Sequence, residues 1–362
     1  MKVLHVTTDF PFERDGKLAN YGGLGLCVLQ LVEGLREKGV DVDVLSRSEG
    51  SIDREITDGV IRAPFIKLSG SRDWKLTHGI TLVPWLLTCF SMKNYDIVHV
   101  HNPPAGMLAL PVSTLFGYKT VMTMHGPWAK VRDRFASLAN AIEFHTLMCA
   151  DAVTFDSNSL LRMYANDQRY HAIQNAVDTN VFKHMMTHRA RARFSLDMEK
   201  RIFLYSGRNV FGKNVDVIRK MAAKFPNDIF LVTGWQGNAT DEEFSNITYM
   251  KSIPNTEMPW LYSACDGLIL ASSAEGMSRA VLEAMSCGCA PILSDIPANT
   301  ETAGNCGRYF KDADGLGWIL EDISRKDMAE MGMKSREHIL KNFTVSRRIE
   351  SFIKVYEGLS KR

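Results

Sequence analysis

The sequence has no long hydrophobic run and no excess of charge of one sign. Its most apolar stretch, residues 79–92, carries several polar residues and is shorter than the ~20 residues that a membrane-spanning helix needs. The 43 basic residues nearly balance the 41 acidic ones, for a net charge of +2, so the composition gives no support to nucleic acid as the main partner. Residues 1–6 read as a strand and show no signal-peptide pattern.

Cysteine is scarce and scattered. Seven cysteines, an odd number, are spread along the chain, and the closest pair is Cys287 and Cys289. No second pair lies near it in sequence, so neither a zinc site nor a disulfide framework is expected. We expect a reduced, cytoplasmic compartment instead.

The remaining composition is that of a globular protein. The 362 residues are 45% hydrophobic and 23% charged, which excludes a disordered, collagen-like or coiled-coil chain. At ~100–200 residues per domain, this length predicts two domains.

Short β-branched runs alternate with helical stretches in both halves of the chain. This alternation predicts doubly wound α/β domains with parallel sheets covered on both faces. The predicted strands are residues 2–7, 40–46, 96–100, 120–124, 151–155, 201–205, 228–233, 246–250, 266–270 and 289–294.

The alternation pauses over the polar residues 177–200, where we place the domain boundary. The predicted domains are residues 1–180 and 181–344, followed by a helix over 345–362 with an apolar face. Two such domains would leave a cleft between them. Ligands of doubly wound sheets bind outside the carboxyl ends of the strands, so the loops that follow the strands are the places to look for chemistry.

Three glycines, Gly22, Gly23 and Gly25, open the first predicted helix. They would let backbone N–H groups approach an anion at the helix N-terminus. A dinucleotide fingerprint is disfavoured, because Val28 stands at the third glycine position and the glycines begin far beyond the end of the strand. A simple surface turn remains the alternative.

Histidines end two neighbouring strands. His99 and His101 share one strand face, and a structural role is favoured over a metal pair. His125 follows the next strand, where an imidazole could donate a hydrogen bond or exchange a proton; a capping or core histidine is the alternative.

Two cations follow the first strand of the second half. Gly207 turns the chain, and Arg208 and Lys213 come after it. A guanidinium fork and an ammonium suit a diphosphate. A solvated loop with incidental charges is the alternative.

Two carboxylates form the strongest pattern. Glu275 lies in the loop after the strand 266–270, and Glu283 lies on the next helix, which is predicted to begin near Ser278 as N-cap. The first N–H groups of that helix would lie beside Gly276 and Met277 and offer a further anion contact. The carboxylates could accept hydrogen bonds from sugar hydroxyls or act as an acid/base pair, and a salt-bridged helix glutamate is the alternative for Glu283.

Taken together, these residues resemble the retaining glycosyltransferases of family 4, which have the GT-B fold. The resemblance runs over nearly the whole chain. It is carried by Thr123-Met124-His125-Gly126, by Asn175-Ala176-Val177-Asp178 with Phe182, by Ser206-Gly207-Arg208 with Lys213-Asn214, and by Glu275-Gly276 with Leu282-Glu283-Ala284-Met285 and Cys287-Gly288.

The resemblance implies a role for each motif. The N-terminal domain would bind the acceptor, the C-terminal domain would bind the nucleotide-sugar, and the final helix would cross back to the N-terminal domain. His125, Arg208, Lys213 and Glu275 would be catalytic, and His101 would be a candidate acceptor contact. The donor would be bound by Gly207, Ser252, Ile253, Gly276, Met277, Ser278, Leu282 and Glu283, and the cleft floor beside phosphate and acceptor would be formed by Gly22, Gly23 and Gly25.

The resemblance also implies a reaction. A sugar would move from a nucleoside diphosphate, with UDP or GDP favoured, to an acceptor hydroxyl with retention of configuration and with no metal or cofactor. The most unusual departure from the family pattern is Arg279, which adds a charge near the donor. A nucleotide-sugar epimerase and a catalytically silent nucleotide-sugar binding protein remain the alternatives.

The acceptor stays open among a lipid-linked saccharide, a polysaccharide and a small molecule. The resemblance would also allow a peripheral contact with the inner face of a membrane, to which aromatic and basic residues of the N-terminal half could contribute; ordinary packing is favoured for two of them, Trp85 and Phe90.

Overall fold

The computed structural model describes residues 1–14, 17–19, 22–48, 55–64, 80–128, 136–207, 212–234, 244–250 and 253–361. The chain forms two compact units, one made of Met1–Asn175 with Val345–Arg362 and the other of Ala176–Thr344. The first unit thus ends five residues before the predicted boundary at 180. Val177 belongs to the second unit because its N–H donates to the Phe343 carbonyl (3.0 Å) and its side chain lies in that unit's core.

The first unit is built on a seven-stranded parallel sheet. Its strands are β1 (Lys2–Thr7), β4 (Asp41–Ser48), β5 (Val60–Pro64), β6 (Ile97–His101), β7 (Lys119–Met124), β8 (Ala152–Phe155) and β9 (Tyr170–Ala172), and a small antiparallel hairpin pairs β2 (Phe12–Arg14) with β3 (Lys17–Ala19). The order across the sheet is β5-β4-β1-β6-β7-β8-β9. The sheet is buried on both faces, since Leu4 and Val6 lie in one apolar cluster and Val3 in the other.

Helices cover that sheet as expected for parallel strands. They are α1 (Gly23–Glu37), α2 (Val83–Met92), α3 (Pro103–Leu115), α4 (Ala136–Cys149) and α5 (Asn158–Leu161). Among the described residues, no helix of the chain is long and apolar enough to span a bilayer.

The second unit repeats this plan with six parallel strands. They are β10 (Ile202–Ser206), β11 (Ile229–Thr233), β12 (Ile247–Met250), β13 (Gly267–Leu270), β14 (Ala290–Ser294) and β15 (Arg308–Phe310), in the order β12-β11-β10-β13-β14-β15. The strand order reverses beside β10 and β13, and such a switch point is where α/β sheets bind ligands. The helices are α6 (Thr187–Arg193), α7 (Asp216–Lys224), α8 (Met258–Ala264), α9 (Arg279–Ser286), α10 (Pro297–Ala303), α11 (Ala313–Asp322) and α12 (Arg325–Asn342).

The last helix, α13 (Val345–Ser360), returns to the first unit. Its apolar side chains Ile349, Phe352 and Tyr356 lie in the same core cluster as the buried face of α1. The helix therefore joins the core of the unit in which the chain begins, as the resemblance implied.

All seven cysteines are free thiols. Five of them are buried, and the two that are partly exposed are Cys149 in the first unit and Cys306 in the second.

Candidate functional site

Hydrogen bonds hold the loop after β10 against the loop after β13. Gly212 has a φ of +84°, which only glycine adopts at little cost, and its carbonyl accepts a bond from the Ser273 N–H at 2.8 Å. Two residues on, the Asn214 side-chain amide donates to the Ala271 carbonyl at 2.9 Å. These contacts fix the position of Lys213, which lies between the two anchored residues.

Lys213 forms an ion pair with Glu275 in this loop pair. The lysine side chain is 24% exposed and the glutamate 14%, so both face a restricted volume of solvent. An ammonium has three N–H donors and this contact uses one, which leaves two for a ligand. Arg208, the other predicted cation, lies outside the described residues.

Glu283 lies on α9, eight residues beyond Glu275, and is buried. Arg279 donates to its Oε1 at 3.1 Å and the Tyr262 hydroxyl donates to its Oε2 at 3.2 Å. Burial raises the pKa of Glu283, although the arginine and the tyrosine oppose the rise. The Arg279 Nη1 is buried without a hydrogen-bond partner among the described residues. The predicted ribose-binding glutamate is therefore held in place, next to a cation with a donor to spare.

The start of α9 differs in part from the prediction. Ser278 is the N-cap residue, but its side chain makes no capping bond. Met277 and Leu282 were both predicted to bind the donor, yet their side chains lie in the hydrophobic core, with Leu282 fully buried. Leu282 shares a helix face with Met285, and that face packs into the core, whereas Met277 lies before the N-cap residue and reaches the same core from the loop. The backbone groups of Gly276 and Met277, and the partly exposed Ser278, whose hydroxyl makes no capping bond, stay the predicted ligand contacts of this segment.

Two further predicted donor residues, Gly207 and Ile253, follow β10 and β12, which are separated in the sheet by β11. The Gly207 N–H donates to the carbonyl of Thr233 at 3.0 Å, and Gly234 approaches the Gly207 backbone so closely that a Cβ there would lie 2.9 Å from the Gly207 oxygen. Ile253 packs partly buried against the core, whereas Ser252 lies outside the described residues.

In the first unit, three histidines and an aspartate form a hydrogen-bonded row across the ends of β1, β6, β7 and β8. The His5 Nδ1 lies 2.8 Å from His101 Nε2, and the His101 Nδ1 lies 3.1 Å from His125 Nε2. The His125 Nδ1 lies 2.8 Å from the Asp156 carboxylate. The row runs from the buried interior to His125, which is partly exposed.

The charges in this row are fixed by its surroundings. Burial alone would lower the pKa of His125, but the Asp156 carboxylate raises it to about 10. Burial lowers the pKa of His5 to about 3 and that of His101 well below its usual value. His125 is therefore an imidazolium that donates from both nitrogens. His101 and His5 are neutral rings, and each accepts a hydrogen bond at Nδ1 and carries its proton on Nε2. This leaves the buried His5 Nε2 as a donor without a partner among the described residues.

Helix α13 supplies two further members of this cluster. Arg348, which is almost fully buried, reaches the Asp156 carboxylate and the Cys27 carbonyl, each at 3.5 Å. Tyr356 lies 2.6 Å from the Nδ1 of His99.

His101 is not the acceptor contact that the resemblance suggested. Its ring is fully buried and both of its nitrogens are hydrogen-bonded to other histidines. It supports His125 instead, because it accepts the bond that holds the exposed ring in place.

Two groups in this region have the donor types that bind metals, namely His5 with His99 and His101, and Cys27 with His125 and Asp156. Most of their donor atoms are already used. Both His99 nitrogens have partners, since the ring also lies 2.6 Å from the Thr123 hydroxyl, and Arg348 brings a positive charge to the second group. The geometry of both groups is that of a hydrogen-bonded network.

The glycine loop begins α1, as the sequence indicated. Gly22 is the N-cap residue, and no side chain caps the helix. Gly22 and Gly23 are exposed and Gly25 is buried. The first N–H groups of a 15-residue helix are thus available to an anion.

Sequence reasoning missed five residues of the histidine cluster. Two signals could have found some of them. Asp156 directly follows a buried strand, as His125 does, and Arg348 is a cation on the apolar stripe of α13. The other three are His5, Cys27 and Tyr356, which only the packing of the unit brings into the cluster.

Comparison with known proteins supports the resemblance to the glycosyltransferases of family 4. Residues 21–181 match the model of Glycosyltransferase Family 4, and residues 187–330 match that of Glycosyl transferases group 1. The chain is 24% identical to the alpha-maltose-1-phosphate synthase of Mycolicibacterium smegmatis, over 99% of this chain and 100% of that protein. It is 23% identical to the UDP-Gal:alpha-D-GlcNAc-diphosphoundecaprenol alpha-1,3-galactosyltransferase of Escherichia coli, over 91% and 92% of the two chains.

A sucrose-phosphate synthase from Thermosynechococcus elongatus has the same fold, with a TM-score of 0.83 and 20% identity over 99% of this chain and 98% of that one. Two Rossmann-like parallel-sheet units and this structural likeness define the GT-B fold. The chain belongs to glycosyltransferase family 4, whose C-terminal part is described as glycosyl transferases group 1. The family resemblance read from the motifs is thereby confirmed.

Proposed function

We propose that this glycosyltransferase moves a sugar from a nucleoside-diphosphate sugar to an acceptor hydroxyl with retention of configuration and without a metal ion. The observation that carries the proposal is the Lys213–Glu275 ion pair, anchored at the switch point of the second sheet in the unit that also holds the buried Glu283. A cation and a carboxylate at one edge suit the two parts of such a donor.

Each group has a distinct task in this scheme. The free N–H donors of Lys213 and the first N–H groups of α9 bind the diphosphate, and Arg208 joins them according to the resemblance. Glu275 accepts hydrogen bonds from sugar hydroxyls while it orients the lysine. Glu283, held by Arg279 and Tyr262, accepts bonds from the ribose.

The charge on His125 argues for a front-face transfer. With a pKa of about 10 the imidazole is already protonated near neutral pH, so it cannot accept the proton of the acceptor hydroxyl. In our scheme that proton passes to a leaving phosphate oxygen as the bond from C1 to the acceptor oxygen forms and the bond from C1 to the phosphate oxygen breaks. His125 contributes a fixed positive charge.

Cations of the chain would do the work that a divalent metal does in other transferases. They stabilise the negative charge that develops on the departing diphosphate, and they are already in place before the reaction. Activity that persists in excess EDTA is the expected result.

The test is a donor screen read by proton NMR. The protein is incubated with UDP-, GDP- and ADP-sugars, with and without soluble saccharide acceptors, in EDTA. We expect one donor to give slow hydrolysis alone and transfer with acceptor, and the product to keep the anomeric coupling of the donor. Inverted product, or activity only after addition of metal, would contradict the mechanism. A new epimer of the donor without acceptor would identify an epimerase, and tight binding without turnover would identify a silent binding protein.

An apolar face on the first unit favours a lipid-linked saccharide among the open acceptors. Helices α2, α3 and α4 are neighbours, and segments 80–92 and 103–118 contain no charged residue and are followed by Lys93 and Lys119. Phe90 packs in the core as predicted, whereas Trp85 is partly exposed. The large exposed apolar residues on and beside these helices are Ile80, Trp85, Leu87, Met92, Leu115, Phe116, Leu138, Phe144 and Met148.

We propose that an anionic lipid surface covers this face, since cations flank an uncharged apolar area. Flotation with phosphatidylcholine vesicles, with and without phosphatidylglycerol, tests it. We expect binding to the anionic vesicles, and loss of binding in the double variant Leu115→Ser and Phe116→Ser but not in Met333→Ser, an exposed residue of the other unit. Equal flotation of all variants, or none at all, would refute the contact.

A further inference from the structure

Two adjoining cavities form one groove along the carboxyl edge of the second sheet. Their volumes are about 540 and 560 Å³, and they share Asp295, Phe310, Lys311 and Asp312. The first begins at Ser273, two residues before Glu275, and the second ends at Trp318 on α11. The groove therefore leads from the neighbourhood of the proposed donor site to the outer surface of the unit, and each half alone is large enough for a small ligand.

The groove is lined by charges of both signs. Its carboxylates, four in number, lie on Asp216, Asp295, Asp312 and Asp322, and its cations, three in number, lie on Lys220, Arg308 and Lys311. A ligand with several phosphates would meet more negative than positive charge here. A neutral chain of hydroxyl groups can donate to the carboxylates and accept from the cations at every step.

Trp318 closes the outer end with an apolar surface. The indole is 67% exposed, although a residue of this kind is usually mostly buried. A flat ring at the rim of a polar groove offers the C–H face of a pyranose a surface on which to stack, while the ring's polar edge stays hydrated.

At the inner end of the groove lies Ser272, whose hydroxyl group lacks a hydrogen-bond partner among the described residues. The residue is fully buried and lines the first cavity. A buried hydroxyl is nearly always hydrogen-bonded, so a group bound in the cavity would supply what this one lacks. The neighbouring Ser294 hydroxyl is already used, since it donates to the Ser272 carbonyl at 2.6 Å.

We propose that this groove binds an oligosaccharide, with one sugar ring stacked on Trp318 and another sugar hydroxyl bonded to Ser272. The proposed transfer function identifies the ligand as the acceptor or product chain, but the site itself would bind saccharide whether or not transfer occurs. An enzyme that extends a glycan gains from such a site, because the chain stays bound between successive transfers.

The experiment measures binding and does not require activity. The full chain is run by affinity electrophoresis and titrated by calorimetry with soluble hexasaccharides of α-glucose, β-glucose, N-acetylglucosamine, mannose and galactose. We expect one of them to bind the wild type and Trp260→Ala, a control at a partly exposed tryptophan of α8 that lies outside the groove, equally. Trp318→Ala should bind at least tenfold more weakly. Ser272→Ala should bind several-fold more weakly while it melts no earlier than the wild type.

Three results would overturn the proposal. These are no binding by any hexasaccharide, equal binding by Trp318→Ala, and displacement of the saccharide by UDP, which would make the groove part of the nucleotide site. Donor hydrolysis is measured in parallel. Saccharide binding without donor hydrolysis would refute the proposed function but not the saccharide site. Donor hydrolysis without saccharide binding would refute the saccharide site but not the proposed function.

Discussion

Lys213 is paired with a carboxylate of its own unit, Glu275. The lysine is therefore oriented by the fold and not by the ligand. Such preorganisation lowers the cost of stabilising a developing charge, because no side chain has to be ordered during the reaction.

Replacement of this lysine gives the sharpest test at the level of one residue. Lys213→Ala should lower turnover by about 10²–10³, the loss that follows removal of one electrostatic donor, while the melting temperature stays near that of the wild type. The measurement is the initial rate of donor consumption at saturating acceptor. Lys224→Ala is the control, since Lys224 forms a well-exposed surface pair with Glu321 and should leave the rate unchanged. Near wild-type turnover of the Lys213 variant would remove the lysine from the mechanism.

Helix α12 depends on a contact between two glycines. A Cβ at Gly332 would lie 2.0 Å from the Gly288 carbonyl oxygen, and Gly288 itself has a φ of +79°. The turn that joins α9 to β14 is thus pressed directly onto the helix, with no room for a methyl group.

Gly332→Ala is therefore expected to destabilise the second unit by about 1–3 kcal/mol, even though alanine is the better helix former. The free energy of unfolding from denaturant titration measures it. Gly358→Ala in α13, where a Cβ would meet nothing within 4 Å, should be neutral or slightly stabilising. Equal stability of the two variants would show that the turn can move away at little cost.

Helix α13 offers a second comparison, between neighbouring arginines. Arg348 is buried and lies 3.5 Å from the Asp156 carboxylate, whereas Arg347 is exposed. Removal of one partner of a buried ion pair costs about 3–5 kcal/mol, so Arg348→Met should unfold far more easily than Arg347→Met. Denaturant unfolding of the two variants decides the matter, and a difference below about 1 kcal/mol would mean that the pair behaves as a surface contact.

The histidine cluster makes the stability of the first unit depend on pH in both directions. The pKa of His5, His99 and His101 is lowered in the folded chain, so as the pH falls below about 6.5 the unfolded chain takes up protons that the folded one refuses. The pKa of His125 is raised to about 10, so between about 6.5 and 10 the folded chain keeps a proton that the unfolded one has lost. Stability falls on both sides of a maximum near neutral pH.

Thermal unfolding from pH 4 to 10 should trace this maximum. In Asp156→Asn the carboxylate that holds the proton on His125 is gone, so the decline on the alkaline side should flatten, with a lower stability overall. Asp167→Asn, which alters an exposed pair with Arg169 in the same unit, should keep the alkaline decline of the wild type. If Asp156→Asn keeps it too, the charge on His125 does not come from Asp156.

Across the whole molecule, local sequence patterns predicted the features that depend on residues close together in the sequence, above all the strands. All ten predicted strands are present with their ends within two residues, because buried parallel strands are continuous β-branched runs. The short strands β2, β3, β5, β9 and β15 were missed, since none of them is such a run. Lys213 and Glu275 could be paired in advance, because carboxyl ends of neighbouring parallel strands meet at one edge.

Contacts between distant parts of the chain could not be predicted in this way. Arg348 reaches Asp156 across 192 positions of sequence, and His5 meets His101 across 96. The sequence around Arg348 and around His5 contains no pattern that indicates which residue each of them contacts. The burial of Leu282 and the loss of His101 as an acceptor contact have the same cause, since packing decides which face of an element remains in solvent.

The distribution of the thiols makes the native chain suitable for site-selective labelling. Burial shields five of the thiols from maleimides, namely Cys27, Cys89, Cys265, Cys287 and Cys289. The partly exposed Cys149 and Cys306 remain, one on each unit. A pair of spin labels or fluorophores can thus be attached without engineering, and the distance between them would report directly on how the halves rearrange when a nucleotide-sugar is added.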